Sequence, residues 1–297
     1  MTEKIRYQMA RVVKRLSPAF SDKLYLRLLY YFTMGRTLHL DNPKTFSEKL
    51  QWLKIHQRHP QLTMLVDKLA VKEQITKDLG SEYVCRVLQV WDNVDDIDIS
   101  MLPDSFVLKT THSGGNNGVA ICKNKSSFDF DAAKEKLREA MNSDIYMRYR
   151  EWPYKNVVRK IFAEEYLGDN LIDYKFYCFN GNADCVLLCK DRQEGHVKYY
   201  FLDREWQLLP YNADSKNAPA DINLPKPACI DQLFGLADRL SKGYPFVRVD
   251  FFEVKGQIYF AEYTFYPASG LDPKKTKEFD IMAGEKIDLK LISSPHA

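Results

Sequence analysis

Residues 248–270 read RVDFFEVKGQIYFAEYTFYPASG. Two short apolar runs, 247–254 and 257–263, flank Lys255-Gly256. Aromatic and β-branched residues fill both runs and Gly256 is a turn residue, so the stretch predicts a β-hairpin. Asp250 sits in the first run and Glu262 near the end of the second. A carboxylate inside an apolar strand is costly unless it is paired or bound to a cation. On adjacent antiparallel strands the two can point to one face and converge on a hard divalent ion, which takes oxygen ligands. Arg248, two residues before Asp250, falls on the same face, and an arginine beside such a pair suits a phosphate chain. A hairpin with solvated polar positions would carry the same letters, because Asp and Glu are common on the open face of antiparallel strands. These residues alone leave both readings open.

The rest of the chain narrows the choice. Its 297 residues suffice for a full core and two or three subdomains. Hydrophobic residues make up 45% and aromatics 13%, a globular composition. A net charge of +3, with basic residues spread along the chain, argues against a nucleic-acid partner. No apolar run approaches the ~18 residues of a transmembrane helix. The start, MTEKIRYQMARVVKRL, lacks the continuous apolar core of a signal peptide. Cys85, Cys122, Cys178, Cys185, Cys189 and Cys229 form no CxxC pair and no zinc spacing, so they read as reduced thiols of a cytosolic protein.

Taken in order, residues 1–35 are helical in pattern and interrupted by Ser17-Pro18. Ile5, Met9, Val12, Val13 and Leu16 recur at helical spacing, with Lys4, Arg6, Arg11, Lys14 and Arg15 on the remaining surface. Such a basic amphipathic helix can lie on an anionic membrane; the plainer reading, a helix packed on the domain with solvated charges, is favoured. A turn at Asn42-Pro43 leads into a helix capped by Thr45 or Ser47. His56 and His59 lack a carboxylate partner and read as surface histidines. Asp67-Lys68 opens a further helix ended by Gly80, and 83–91 alternates like a strand. Residues 105–111 form a strand carrying Lys109, which runs into His112-Ser113-Gly114-Gly115-Asn116-Asn117-Gly118 and a return strand, 119–122. The free N–H groups of such a loop can fold over phosphates, and Lys109 adds a point charge. Context excludes a P-loop or a Rossmann fingerprint. Residues 143–156, with Arg148, Arg150, Trp152 and Tyr154, read as an irregular loop: a lid, an acidic-substrate contact or a surface excursion. A strand at 160–167, a hairpin around Asn180-Gly181-Asn182, a second around Asp203-Arg204 and a helix at 229–241 lead back to the opening stretch.

Several of these motifs in one order resemble the ATP-grasp superfamily, and more closely the TupA-like ATP-grasp family of polysaccharide and teichuronopeptide biosynthesis. The resemblance spans about 38–289. Its carriers are Asn42-Pro43-Lys44-Thr45-Phe46 with Glu48-Lys49-Leu50, Asp67-Lys68, Lys109-Thr110 through Gly118, Arg150-Glu151-Trp152-Pro153-Tyr154, and 248–270. It implies an α+β ATP-grasp fold in which two subdomains clamp ATP behind an N-terminal helical segment. The expected divisions are 1–37 (helical segment), 38–104 (preceding subdomain), 105–167 (small lid subdomain) and 168–297 (large subdomain). By the same resemblance, Lys109 and Lys68 would contact ATP phosphates, and Ser113, Gly114, Gly115, Asn116 and Gly118 would cover them. Glu164, Glu165, Tyr166 and Leu167 would form the hinge against adenine. Asp173 is a candidate for the ribose and Lys175 for the phosphates. Asp250 and Glu262 would hold Mg2+, and Arg248 the transferred phosphoryl group. In the wider superfamily an Asn usually sits two residues after the metal-binding Glu; here that position is Thr264, whose hydroxyl can still bind a metal weakly or through water.

The implied activity is that of an ATP- and Mg2+-dependent carboxylate–amine ligase acting through an acyl phosphate. The partners expected are ATP, a carboxylate-bearing sugar or polysaccharide precursor such as a uronic acid, and an amino acid or other amine. Alternatives are a glycosyltransferase, an ATP-grasp kinase, or a non-catalytic nucleotide-binding module. The expected location is cytoplasmic, with peripheral contact at the inner face of the membrane through the N-terminal helix.

Overall fold

The computed structural model describes residues 2–169, 171–190 and 197–293; Met1 and 294–297, at the ends of the first and last expected divisions, lie outside the described residues. Helices come first: α1 (Glu3–Arg15), α2 (Asp22–Met34), α3 (Phe46–His56), α4 (Pro60–Val66) and α5 (Ala70–Asp78). Of the two caps the sequence offers α3, Thr45 is used. Its hydroxyl accepts from the Glu48 N–H while the Glu48 carboxylate accepts from the Thr45 N–H, a capping box. Ser47 instead donates through its N–H and its hydroxyl to Asp280, at 2.7 and 3.0 Å. His56 and His59 are exposed, as expected.

A first sheet follows. It uses β1 (Val87–Trp91), β2 (Phe106–Thr110) and β3 (Val119–Cys122) and then, after α6 (Phe130–Met141) and α7 (Ile145–Tyr149), β4 (Ile161–Glu165). The strands are antiparallel in the order β1-β4-β2-β3, and Ala133 and Leu137 of α6 pack on them. β1 falls before residue 105, so this sheet draws on both sides of the division expected there.

The second sheet is larger. It comprises β5 (Ile172–Phe179), β6 (Asn182–Lys190), β7 (Lys198–Leu202) and β8 (Leu208–Leu209), then, beyond α8 (Ala213–Lys216) and α9 (Ile230–Ser241), β9 (Phe246–Val254) and β10 (Gln257–Thr264), with α10 (Lys277–Lys286) after it. The strand order is β10-β9-β5-β6-β7-β8. Phe176 packs edge-on against Phe234 of α9, and Phe246 and Phe279 against Phe46 of α3. The β9–β10 turn places Lys255 and Gly256 at φ 51° and 85°, the left-handed pair of a two-residue type I′ turn, so the opening hairpin forms where its Lys-Gly signal put it.

Three local expectations change. Residues 81–83 form a 3-10 turn, and the strand starts only at Val87. The segment 143–156 is ordered: the Asp144 carboxylate accepts from the Met147 N–H at 2.8 Å and caps α7, and a 3-10 turn covers Trp152–Asn156. Within it Arg150 is buried rather than at the surface. Its guanidinium donates to the Ser17 hydroxyl and carbonyl, both at 2.7 Å, and lies 2.8 Å from Asp22, fastening the N-terminal helices to the body. Finally, α1 buries only Ala10 and Val13; Ile5, Met9, Val12 and Leu16 are exposed.

Candidate functional site

Strand register builds the site. Lys175 of β5 lies directly opposite Asp250 of β9, and Asp250 directly opposite Glu262 of β10. One row across three strands therefore carries a cation and two carboxylates. The next row is Tyr177, Arg248 and Thr264. A bulge between Phe260 and Glu262 makes this possible. Ahead of it, Ile258 and Phe260 face the core; beyond it, Tyr263 and Phe265 do. The extra residue switches the parity of the strand and turns Glu262 and Thr264 onto the face of Asp250.

Charges on that face are paired. Arg248 donates from Nε to Asp250 Oδ1 at 2.7 Å and from Nη2 to Asp250 Oδ2 at 2.6 Å, to Glu262 Oε1 at 3.1 Å and to the Thr264 hydroxyl at 2.9 Å. Lys175 bridges Asp250 and Asp173 at 2.7 and 2.6 Å, and Lys68 donates to Glu262 Oε2 at 2.9 Å. Asp250 has no exposed surface; burial pushes its carboxyl up, against the opposing pull of Arg248 and Lys175. Burial would also raise Glu262, but Lys68, Arg248 and Lys175 hold it well below the usual carboxylate range.

The smaller sheet contributes a second cluster. Lys109 faces Phe162 across β2 and β4, which makes Glu164 its diagonal neighbour on the same face. Lys109 pairs with Glu164, and Lys72 of α5 joins them at 3.0 Å. Burial works against the Lys109 charge, but Glu164 more than compensates and keeps its pKa up. Lys68 connects the two clusters, since its N–H donates to Thr111 O at 3.0 Å, just past β2, while its ammonium holds Glu262.

A cleft of about 1030 Å³ opens on the Lys175, Arg248, Glu262 and Thr264 side of these clusters; Lys68, Lys109 and Asp250 are not among its lining residues. Ser113, Gly114, Gly115, Asn116 and Gly118 line it together with Lys175, Arg248, Glu262 and Thr264. The loop is seated firmly: the Thr110 hydroxyl donates to Ser113 Oγ at 2.5 Å, and the ring of His112 bonds Ala140 O at 3.0 Å. Gly118, at φ 67°, admits no side chain, because a Cβ there would stand 2.3 Å from Thr110 Oγ1.

A family model described as TupA-like ATPgrasp matches residues 48–288. The chain belongs to the TupA-like ATP-grasp family. Its fold is accordingly the ATP-grasp fold, of mixed helix and sheet with N-terminal helices. Among solved structures it is similar to the D-alanine–D-alanine ligase of Helicobacter pylori, with 14% identity and a TM-score of 0.46 over 82% of this chain and 69% of that one. The ATP complex of the Bacillus anthracis D-alanine–D-alanine ligase gives 16% and 0.44 over 78% and 65%. The ADP complex of Staphylococcus aureus N5-carboxyaminoimidazole synthetase gives 15% and 0.44 over 81% and 58%. A comparison with curated protein sequences finds no match.

In this ATP-grasp chain, the residues expected at the hinge stand apart from the cleft wall. Glu164 is turned onto Lys109 and Lys72. Glu165 accepts from the Arg86 N–H at 2.9 Å, and the Tyr166 hydroxyl donates to Asp169 at 2.6 Å. Leu167 is half-buried beside Gly168. Asp173 is buried with one oxygen on Lys175. Sequence reasoning missed a third group at the cleft floor. Lys54, fully buried, donates to Ser269 O at 2.8 Å, Ser269 Oγ at 2.9 Å and Tyr149 O at 3.0 Å, and Ser269 donates to Glu151 Oε1 at 2.7 Å. Burial lowers Lys54 to about 8. Ala268, Ser269 and Gly270 all have positive φ, so the turn after β10 holds a tight left-handed conformation that carries Ser269 to this group. Lys72 and Lys54 carry no local signal, since a lysine on a helix is ordinary; Glu151 was visible only as part of the motif 150–154.

Proposed function

We propose that this chain is an ATP- and Mg2+-dependent carboxylate–amine ligase that works through an acyl phosphate. The observation that carries the reading is the Lys175–Asp250–Glu262 row with Arg248 beside it, facing a cleft that the 113–118 loop borders. Asp250, Glu262 and Thr264 offer only oxygen donors, the set a hard divalent ion takes. Among the described residues no group of three or more His, Cys, Asp or Glu could hold a metal, so phosphate oxygens and water would complete the coordination. When bound, magnesium neutralises charge between phosphates.

The chain's own residues divide the remaining work. Backbone N–H groups of 113–118 would cover the phosphates, with Lys109, Lys68 and Lys175 on their charge. Arg248 would exchange Asp250 for the transferred phosphoryl group. The resemblance assigns adenine to the hinge 164–167 and the ribose to Asp173, so the nucleotide would extend beyond the wall of this cleft to reach them. A carboxylate oxygen attacks the γ-phosphorus and ADP leaves; the amine nitrogen then attacks the acyl carbon and phosphate leaves, giving the amide. The cleft must keep water from the acyl phosphate, which hydrolyses readily. In this reading the sheet of β1 to β4 acts as the lid and the sheet of β5 to β10 as the base.

Tyr149, Tyr154 and Tyr199 line the same cleft with ring surface exposed, together with Arg148 and Lys274. Aromatic faces beside cations suit a uronic acid, ring against ring face and carboxylate against cation. This supports a surface polysaccharide or its precursor as the acceptor and an amino acid or other amine as nucleophile. The free cysteines support a cytoplasmic location.

The test is phosphate release from MgATP by purified protein, with panels of uronates and amines. Release that needs both substrates, with an amide in the mass spectrum, is the expected result. Lys109→Ala should abolish it together with nucleotide binding. A stable phosphorylated acceptor would convert the assignment to a kinase, and transfer of a sugar would remove it.

A further inference from the structure

Helix α1 packs on the body with one face and leaves a second, apolar one uncovered. Ala10 and Val13 are its buried residues. Ile5, Met9, Val12 and Leu16 follow one another at steps of four, three and four, so they form a single stripe along the helix. That stripe is open to solvent, at 47, 37, 43 and 51%. Lone exposed apolar residues need no explanation; four in register on one helix do. Lys4, Arg11 and Arg15, all exposed, make a parallel row beside the stripe. Glu3 is the one acid in the helix, against Lys4, Arg6, Arg11, Lys14 and Arg15. Leu24, Lys23 and Arg27 extend the same character onto α2, again exposed. A second copy of the chain would set these cations against their own kind. An anionic surface satisfies both rows at once.

We propose that α1 is a membrane-surface helix. It lies along an anionic phospholipid bilayer with Ile5, Met9, Val12 and Leu16 in the headgroup–acyl boundary and Lys4, Arg11 and Arg15 on lipid phosphates. Lys14 is turned the other way: it approaches the Tyr149 ring at 4.5 Å and lines the cleft. Docking therefore brings the cleft mouth within about one helix diameter, ~10 Å, of the headgroups. That placement suits an acceptor itself attached to lipid, a consequence that rests on the ligase reading; the docking does not.

The experiment is co-sedimentation of the full-length chain with phosphatidylcholine vesicles, with and without phosphatidylglycerol. Binding should require phosphatidylglycerol and weaken with salt. Met9→Glu combined with Val12→Glu should lower the bound fraction about tenfold, with unchanged circular dichroism and unchanged MgATP affinity. These positions are exposed, so the fold should tolerate the change. Absence of binding at low salt overturns the proposal, as does binding that the double substitution leaves intact. A dimer seen by light scattering and dissolved by the same substitutions, without vesicle binding, would reassign the stripe to a second copy. A chain that turned over no ATP would still bind vesicles, so the two proposals fail separately.

Discussion

Glu164 is 5% exposed and held between Lys109 and Lys72. Burial raises its carboxyl, but the two lysines outweigh burial and bring it below its ordinary value. The unfolded chain therefore takes up this proton first, from about pH 4.3 downward. In that window stability rises with pH, and the contribution is lost as pH falls through the lowered folded value. Wild type should lose urea resistance steeply below about pH 4.3. Glu164→Gln should be weaker at pH 6, because two lysines lose their partner, but should show a flatter acid slope. Urea midpoints taken from pH 6 to pH 3 read both, and parallel slopes would refute the assignment. Arg248, Asp250, Glu262 and Lys109 were legible as single letters because each interrupts an apolar strand, where a charge is conspicuous. Lys72 and Lys54 were not, because on a helix a lysine is ordinary and only the fold shows that it points inward.

Strands and turns were more legible than the direction their side chains take. Asn180-Gly181 and Lys255-Gly256 announced two hairpins, and both formed. The bulge at the end of β10 was not legible, because 258–261 are continuously apolar and offer no alternation for it to break. α1 misled because its periodicity is genuine while its apolar stripe faces out; spacing reports a helix but does not say what covers it. The glycine-rich loop allows a direct test of element geometry. Gly115, at φ 60°, has open space around it, whereas a Cβ at Gly118 would meet Thr110, Ser113 and Ala140 within 2.9 Å. Gly115→Ala should cost only left-handed strain, about 1 kcal/mol. Gly118→Ala should unseat the loop, with a larger fall in the thermal midpoint and at least about tenfold weaker ATP binding. Equal effects at the two glycines would mean that the seat of the loop does not matter.

Across the whole molecule, the two sheets meet through charge. Lys68, Lys72, Lys109, Lys175 and Arg248 stand against Asp173, Glu164, Asp250 and Glu262, and Lys68 ties the end of β2 to β10. Five cations face four carboxylates, so the network nearly neutralises itself. ATP alone would bring its charge against Asp250 and Glu262 and draw Arg248 away from both. If the proposed assignment holds, magnesium held by the oxygen donors on that side would offset the repulsion. MgATP should therefore stabilise the chain far more than ATP in EDTA. At a hundredfold excess over Kd a ligand adds about 2.7 kcal/mol, which for a chain of this size is roughly 5 °C in Tm. Glu262→Gln should abolish most of the difference between the two conditions, whatever it does to the unliganded midpoint. Thermal shifts with and without EDTA, for wild type and variant, decide the point. Equal shifts under both conditions in wild type would mean that the carboxylate row serves only to balance Arg248 and Lys175.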